Sequence, residues 1–409
     1  MKSYKTELDP NDKQVTHLLQ HAGAARWAYN WGLRRKIAAR QSQQKTPTAI
    51  DLHKELNLLK NLPQESGGVS WMYEVSKCAP QEALRNLDTA YENFFRRCKS
   101  KAKRKGFPKF KSRNRGIGSF SLTGAIHVTE RTIQLPRLGV LRLKEDGYFP
   151  VGVPIKSATI SERAGKWFVS ISTDEPEPVR PTGTEVLGCD VGIKHLAVLS
   201  DGTVFENPRA LKNAQTRLRL LQKTVSRRVK GSSNRRKAVH RLAHQHYRVH
   251  SIRTDSLHKA TSAIATRAKV LVIESLNVSG MMKNHRLAGA LSDSGLAEFH
   301  RQLEYKLKWS GGQLIKADRF FPSSKTCSAC GTVKESLSLS ERIFICDCGF
   351  SLDRDLNAAI NLRNLAGSSP VTACCPGSSG LNRPRIQTKL LVGQEPNANT
   401  GAMSLFGSV

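Results

Sequence analysis

Long apolar runs and acidic side chains are both scarce in this sequence of 409 residues. No stretch approaches the roughly 20 consecutive apolar residues of a membrane-spanning helix, which excludes a helical membrane protein. The first residues, MKSYKTELDPNDKQ, lack the apolar core of a secretory signal peptide. We therefore expect a cytoplasmic protein that has access to the nucleoid and has no membrane partner.

The shortage of acids leaves a large positive charge, because 65 Lys and Arg residues face 33 Asp and Glu residues, a net charge of +32. Such an excess repels itself in a compact fold unless a polyanion binds to it, and nucleic acid is the obvious polyanion. A generic basic protein of the ribosomal or chromatin type is the simpler alternative. The 39% of hydrophobic residues is enough for buried cores and excludes wholesale disorder.

Two segments contain many basic residues and no acid. Residues 96–115 contain eleven Lys or Arg with two phenylalanines between them, which favours a segment that follows a nucleic-acid backbone over a solvated linker. Residues 207–254 contain fourteen, which we interpret as two helices joined near Gly231, with basic faces that form a polyanion groove. His240 and His244 lie one turn apart there, which suits phosphate contacts better than a metal ion.

The chain divides into segments of different pattern. The apolar residues of 11–100 recur with a helical period, and those of 118–175 alternate with polar residues as in β-strands. From residue 184 the pattern is α/β, and AKVLVIESL at 268–276 predicts a buried strand. The composition shifts to Gly, Ser, Pro and Asn after residue 367, and we interpret 368–409 as a disordered tail.

Asp190, Glu274 and Asp355 are the candidate catalytic residues. Asp190 lies near the end of an apolar strand, Glu274 ends the buried run VLVI, and Asp355 begins a helix. Each carboxylate has an ordinary structural explanation, as a turn residue, a strand end or a helix cap. Together they indicate a site for Mg²⁺ or Mn²⁺, since a charge at the end of a buried strand is costly without a partner. Two such ions can promote phosphodiester hydrolysis, and the basic surface would dock the polyanion.

Cys327, Cys330, Cys346 and Cys348 fall within 22 residues, a spacing that indicates a metal site and not disulfide bonds. Thiolate pairs on tight turns suit tetrahedral Zn²⁺, and four thiolates without an open position make the zinc structural. The second pair has one intervening residue where two are usual, so we expect its turn to be strained.

Several segments along the chain are distinctive: ARWAYNWGL, the AYENFF and GFPKFKSRNR region, IQLPRLGVLRL, GCDVGIKHLAVLSDG, VIESLNVSGMMKNHRLAGALSDSG, FFPSSKTCSACG and LDRDLNAAINL. Through these segments the chain up to about residue 367 resembles TnpB, the OrfB-type protein of bacterial insertion sequences and a relative of type V CRISPR effector nucleases.

The resemblance implies a fold class that combines α/β, all-α and β parts. A split nuclease domain of the RuvC type, with an RNase H-like fold, would contain an inserted zinc ribbon. A helical recognition lobe and a small wedge β-barrel that holds the guide RNA scaffold would complete the protein. The corresponding ranges are 181–322 and 351–367 for the nuclease, 323–350 for the ribbon, 11–115 for the lobe, and 1–10 with 116–180 for the barrel.

The resemblance also implies the activity and its partners. Family members load a guide RNA transcribed from the transposon end and cleave double-stranded DNA that pairs with it, after they read a short adjacent motif. By this likeness Asp190, Glu274 and Asp355 are the catalytic trio, with Asp355 chosen over Asp353 in LDRDLNAA. We expect one protein chain to act with one RNA.

Lys77 and Gln81 match the motif-reading positions of the family, within WMYEVSKCAPQEAL. They are four residues apart and therefore share one face of a helix, from which they can reach base edges. Pro80 between them departs from the family pattern and is expected to begin a helical turn or to kink one.

Two other functions stay open from the sequence. An RNA-guided DNA-binding regulator that no longer cuts would have no reason to keep three costly acids. A strand-transfer transposase can use a similar acidic trio on a similar fold, and it would bind transposon ends as a multimer without RNA. The zinc ribbon and the basic 207–254 segment favour the guided nuclease.

Overall fold

The computed structural model describes residues 2–100, 105–113, 116–175, 183–338 and 340–367. The tail predicted for 368–409 lies outside these residues. Across the described ranges, no helix is long and apolar enough to cross a membrane.

Three helices form the N-terminal part of the fold. Asn11 begins the first with a capping box, because its side chain accepts the Gln14 N–H while the Gln14 side chain accepts the Asn11 N–H. Gly32 allows the first helix to approach its neighbours, since a Cβ there would lie 2.7 Å from a methyl of Leu84. A short 3-10 turn at Gln64–Ser66 lies between the second and third helices. The helices are α1 (Asp12–Gln41), α2 (Ala49–Asn61) and α3 (Cys78–Lys99).

Two antiparallel sheets follow, and the N-terminal strand belongs to the larger one. That sheet has the order β1-β7-β6-β2, and the smaller one has the order β3-β4-β5. An isolated bridge between Leu8 and Leu143 connects them. The apolar faces of both sheets share a core with α1 to α3. The strands are β1 (Lys2–Leu8), β2 (Ser119–Leu122), β3 (His127–Val128), β4 (Thr132–Leu135), β5 (Gly139–Arg142), β6 (Ile155–Arg163) and β7 (Lys166–Thr173).

A mixed five-stranded sheet forms the centre of the second half, in the order β10-β9-β8-β11-β12. The strands β8, β9 and β10 are antiparallel neighbours, with a turn at Asp201-Gly202 between β9 and β10, and β11 and β12 run parallel to β8. The strands are β8 (Glu185–Val191), β9 (His195–Leu199), β10 (Val204–Glu206), β11 (Ala268–Ile273) and β12 (Gln313–Lys316).

Helices cover both faces of this sheet, which explains why β8 and β11 lack the alternation of a half-exposed strand. Leu187, Cys189 and Ile273 face a core with α5 and α8, whereas Val272 packs on the other face against Leu362 of α9. The helices are α4 (Ala210–Arg227), α5 (Ser233–Arg267), α6 (Val278–Met281), α7 (His285–Ser294), α8 (Leu296–Trp309) and α9 (Arg354–Gly367).

The helix α5 is much longer than the strand that follows it. It contains 35 residues, or roughly 52 Å of helix, whereas the six residues of β11 span roughly 20 Å. Since α5 ends where β11 begins and packs back along the sheet, its N-terminal half extends past the carboxyl edge of the sheet. The basic helices α4 and α5 therefore project on the side where the strands β8 and β11 end.

Candidate active site and metal centre

Asp190 and Glu274 lie side by side at the carboxyl edge of the central sheet. In the parallel pair of β8 and β11, Cys189 is the partner of Ile273, and the next residue of each strand is the carboxylate. Neighbouring strands are roughly 5 Å apart, and residues in register point to the same face. The two acids therefore share the face of the sheet that α9 covers.

The helix α9 brings Asp355 to the same place. It crosses β8 at Gly188, where an added Cβ would lie 1.9 Å from the carbonyl oxygen of Ala359 and 2.4 Å from the backbone nitrogen of Arg363. Only glycine allows the helix backbone to come this close. Because Gly188 is two residues before Asp190 and Ala359 is one turn after Asp355, this contact fixes the two carboxylates at the same end of the sheet.

Asp353 and Asp355 have different structural roles. The Asp353 carboxylate accepts the N–H groups of Asp355 at 2.9 Å and Leu356 at 3.1 Å, so it caps the N-terminus of α9. Asp353 is exposed, whereas the Asp355 side chain is 18% exposed and lines the cavity with Asp190 and Glu274. Asp355 therefore remains the predicted member of the catalytic trio.

Negative charge accumulates around Asp190. Burial raises the pKa of Asp190 well above its ordinary value, and the carboxylates of Glu274 and Asp355 raise it further, whereas Arg354 opposes the shift. Three carboxylates that face one cavity provide the oxygen ligands that a hard divalent cation prefers, and such a cation would offset their repulsion. The donor set therefore fits a divalent metal ion.

The three acids line a cavity of about 470 Å³ that also contains basic side chains. Leu276, Met281, Leu291 and Leu296 supply apolar surface. The basic residues are Lys194, Lys325, Arg342 and Arg354. A cavity lined by both acids and cations can receive a metal ion and a phosphate backbone together.

Sequence reasoning missed the polar residues that surround Glu274. The hydroxyl of Ser323 donates a short hydrogen bond to Oε1 of Glu274. Asn361 of α9 donates in turn to the Ser323 carbonyl at 2.8 Å. Both residues lie within segments quoted for the family resemblance, but nothing in their spacing indicates that they meet.

The four cysteines converge as the sequence predicts, with their sulfur atoms all within 4.8 Å of one another. The Sγ atoms of Cys327 and Cys348 are 3.8 Å apart, and those of Cys330 and Cys346 are 3.5 Å apart. Tetrahedral zinc with bonds of about 2.3 Å requires sulfur atoms about 3.8 Å apart. The short second spacing therefore does not prevent the cluster from closing, and the donor set fits Zn²⁺.

The cysteine cluster is joined directly to the cavity. A short antiparallel hairpin consists of β13 (Ile343–Ile345) and β14 (Ser351–Asp353), with Cys346 and Cys348 in the turn between the strands. The strand β14 leads directly into α9. The side chain of Asn357 on α9 accepts the Ser328 N–H at 3.0 Å and donates to the Thr326 carbonyl at 2.7 Å. The segment that contains Cys327 is thus attached to the helix that begins with Asp355.

Lys77 and Gln81 lie at the start of α3. Lys77 is exposed and Gln81 is half-buried, and the Gln81 N–H reaches the Lys77 carbonyl at 3.3 Å. Pro80 occupies the third position of the helix, where a missing N–H removes no helical hydrogen bond. Pro80 therefore belongs to the first turn of the helix and does not interrupt it, so the side chains of Lys77 and Gln81 keep the one-turn spacing.

The two basic segments make different contacts with the rest of the fold. Phe107 packs edge-on against Tyr91 and Phe94, so that ring supports the helices in addition to any role in base stacking. Farther along the chain, β7, α4 and α5 surround a cavity of about 490 Å³. Its basic and aromatic side chains are Lys166, Arg217, Arg241, His244, Tyr247 and Arg248. The ring of His240 contacts that of His244 edge-on.

Three family descriptions match parts of this chain. Family descriptions match at residues 168–285 ("Probable transposase"), 297–362 ("Cas12f1-like, TNB domain") and 1–45 ("Helix-turn-helix domain"). Over that last range the structure contains a strand and one continuous helix of 30 residues.

Two curated relatives cover nearly the whole chain. A Streptomyces pristinaespiralis protein named "Putative RNA-guided DNA endonuclease" is 35% identical over 98% of this chain and 98% of its own length. "Putative RNA-guided DNA endonuclease InsQ" of Escherichia coli (strain K12) is 33% identical over 91% of this chain and 94% of its own length.

The solved structures are much more distant. One titled "Cryo-EM structure of the Cas12f1-sgRNA-target DNA complex" has a TM-score of 0.32 and 14% identity, over 89% of this chain and 98% of that one. Another, "Cryo-EM structure of CRISPR-Cas12f Ternary Complex", has a TM-score of 0.35 and 17% identity, over 86% and 82%. These values support no inference about this chain.

The fold and the site define an α/β protein with a four-cysteine cluster next to a carboxylate-lined cavity. With relatives of 33 to 35% identity along nearly its full length, the chain belongs to the TnpB, or OrfB-type, family of insertion-sequence proteins.

Proposed function

We propose that this protein is the RNA-guided DNA endonuclease of a transposable element. The observation that carries the proposal is the convergence of Asp190, Glu274 and Asp355 on one cavity from two strands and a helix. The names of the curated relatives support the same function. The expected partners are a guide RNA transcribed from the transposon and a double-stranded DNA target, with one protein chain for each RNA.

The order of the central sheet supports an RNase H-like nuclease domain. Its first three strands form an antiparallel meander and the next two lie parallel to the first, which is the arrangement expected of that fold. The domain is split in sequence, because α9 follows the cysteine-containing insertion and returns to pack on β8. We assign 181–322 and 351–367 to the nuclease and 323–350 to a zinc ribbon.

Asp190, Glu274 and Asp355 would hold Mg²⁺ or Mn²⁺, which would activate the attacking water and stabilise the leaving oxygen of the phosphodiester. The chain's own cations would then bind the strand that is cut. Lys325 and Arg342 line the same cavity and can contact phosphates on either side of the scissile bond.

The remaining parts would bind nucleic acid and would not perform chemistry. We assign 11–115, with α1 to α3, to a recognition lobe in which Lys77 and Gln81 read the motif beside the target. We assign 1–10 with 116–180, which contains the two antiparallel sheets, to a wedge domain that holds the RNA scaffold. The four cysteines would bind a structural Zn²⁺ that stabilises the segment before α9.

The test is to purify the protein from its host and to sequence the RNA that accompanies it. A discrete transcript that extends past a transposon boundary is expected. The complex should cut DNA that matches the guide, and Asp190→Ala should abolish cutting while it leaves RNA and target binding intact. Target binding without cutting by the unaltered protein would identify a regulator. Joined transposon ends formed without RNA would identify a strand-transfer transposase.

A further inference from the structure

Glu274 extends beyond the last hydrogen-bonded residue of β11 and needs a contact that fixes its side chain. Ser323 supplies one, since its hydroxyl donates to Oε1 of Glu274 from a position that is 3% exposed. The two residues are 49 positions apart in the chain, so only the tertiary fold brings them together. A hydrogen bond to one oxygen of a carboxylate restricts its rotation and leaves the second oxygen for a cation.

The backbone of Ser323 is itself held by α9. The amide of Asn361, which is 5% exposed, donates to the carbonyls of Ser323 at 2.8 Å and Thr326 at 2.6 Å. Asn357, one turn earlier on the same helix, also donates to the Thr326 carbonyl. Since α9 carries Asp355, these bonds connect the position of Glu274 to that of Asp355 through Ser323.

We propose that Ser323 is a positioning residue for Glu274, and that Asn361 acts through Ser323. In this arrangement Glu274 and Asp355 keep a fixed separation before any cation arrives, which lowers the cost of ordering the site when a cation binds. The proposal rests on the proposed function, because it assumes that Glu274 binds a divalent ion. It concerns residues to which neither the family descriptions nor the names of the relatives assign a role.

The first experiment compares the purified protein–RNA complex with its Ser323→Ala variant. The Mg²⁺ concentration that gives half-maximal cleavage is expected to rise about tenfold or more, the usual effect of removing a partner of a metal ligand. Mn²⁺ binding, measured by electron paramagnetic resonance without DNA, should weaken by a similar factor. The melting temperature and the affinities for RNA and target should stay close to those of the unaltered complex.

Thr266→Ala is the matched control. Its hydroxyl donates to a carbonyl of its own helix, and the residue is exposed on α5. It is expected to leave the Mg²⁺ dependence unchanged. Ser323→Cys keeps the size of the side chain with a weaker donor, so it should give a smaller shift than Ser323→Ala and provides the measurement if alanine is not tolerated.

The role of Asn361 is tested by a double-mutant cycle. Asn361→Ala should raise the Mg²⁺ requirement, because it releases the backbone of Ser323. The double variant with Ser323→Ala should match Ser323→Ala alone, because both changes act through the same hydrogen bond between Ser323 and Glu274. Additive shifts would show that Asn361 does not act through Ser323.

Two outcomes overturn the positioning role itself. One is an unchanged Mg²⁺ and Mn²⁺ dependence in both Ser323 variants. The other is a lower melting temperature with no change in metal dependence, which is what a purely structural residue would give. Asp190→Ala separates this inference from the proposed function. If Asp190→Ala still cuts DNA, the proposed function fails. If Asp190→Ala does not cut but the Ser323 variants keep the metal dependence of the unaltered protein, only the positioning role fails.

Discussion

Replacing Gly188 with alanine tests whether the contact between β8 and α9 sets the geometry of the carboxylates. The new methyl group would lie 1.9 Å from the Ala359 carbonyl oxygen and 2.4 Å from the Arg363 nitrogen, both backbone atoms that no side-chain rotation can move. To restore an ordinary contact, α9 must retreat by about 1.5 Å. Asp355 lies one turn before Ala359 and must move with it. A misplacement of about 1 Å at a catalytic group can cost about 100-fold in rate.

We therefore expect Gly188→Ala to lower the cleavage rate of the guide-loaded protein about 100-fold or more. Binding to target DNA, measured by gel shift at equal RNA loading, should change little, since Gly188 belongs to the proposed nuclease domain and not to the proposed recognition lobe. Gly289→Ala is the control: it also adds a methyl to a glycine, but in the described structure no heavy atom outside its chain neighbours and the nearby backbone of its own helix would lie within 4 Å of it. A Gly188→Ala variant that cuts at the normal rate would refute the role assigned to this contact.

Three other perturbations follow from the site and its surroundings. Burial and the neighbouring carboxylates raise the pKa of Asp190. The contribution of Asp190 to the free energy of unfolding of the metal-free protein is therefore fully present below the ordinary pKa of an aspartate. This contribution is lost as the pH rises through the raised pKa. Asp190→Asn should thus raise the melting temperature of the metal-free protein at neutral pH, and calorimetry that shows no such gain would contradict the electrostatics. Removal of zinc by a chelator, or Cys330→Ser, should lower the melting temperature and reduce the cleavage rate about 100-fold. The reason is that the segment with the cysteines is attached to α9 through Asn357. Full activity of a protein shown to be zinc-free by atomic absorption would refute this link. Replacing Arg241 and Arg248 with Gln should reduce the log–log salt slope of RNA binding by roughly 0.7 to 0.9 for each lost phosphate contact, and an unchanged slope would exclude the cavity between β7, α4 and α5 from RNA binding.

Each predicted site residue carries a local signal in the sequence. The cysteines stand in two short-range pairs, so their convergence needs only two turns and a hairpin, and the structure confirms it. Asp190 and Glu274 each follow an apolar strand, and parallel strands end at the same edge of a sheet. The helical period of 11–100 and the alternation of 118–175 also predicted the right secondary structure, since the structure has the helices α1 to α3 in the first range and antiparallel strands in the second.

Relations between distant segments were not predictable in the same way. The expected strain at the Cys346–Cys348 turn does not keep the sulfur atoms apart, since the Sγ atom of Cys348 lies 3.8 Å from that of Cys327. The sequence places Phe107 among basic residues and gives no sign of its packing against Tyr91 and Phe94. The expected effect of Pro80 was open in the sequence, and the structure shows that its position in the first helical turn is harmless.

The positive charge, the three acids and the four cysteines are properties of the amino-acid sequence, and local patterns place each of them on a strand, a helix or a turn. How those groups are held depends on the folded chain. The backbone approach at Gly188 and the bonds of Ser323 to Glu274 and Asn361 depend on packing between segments far apart in the chain, and no local pattern encodes a contact of that kind.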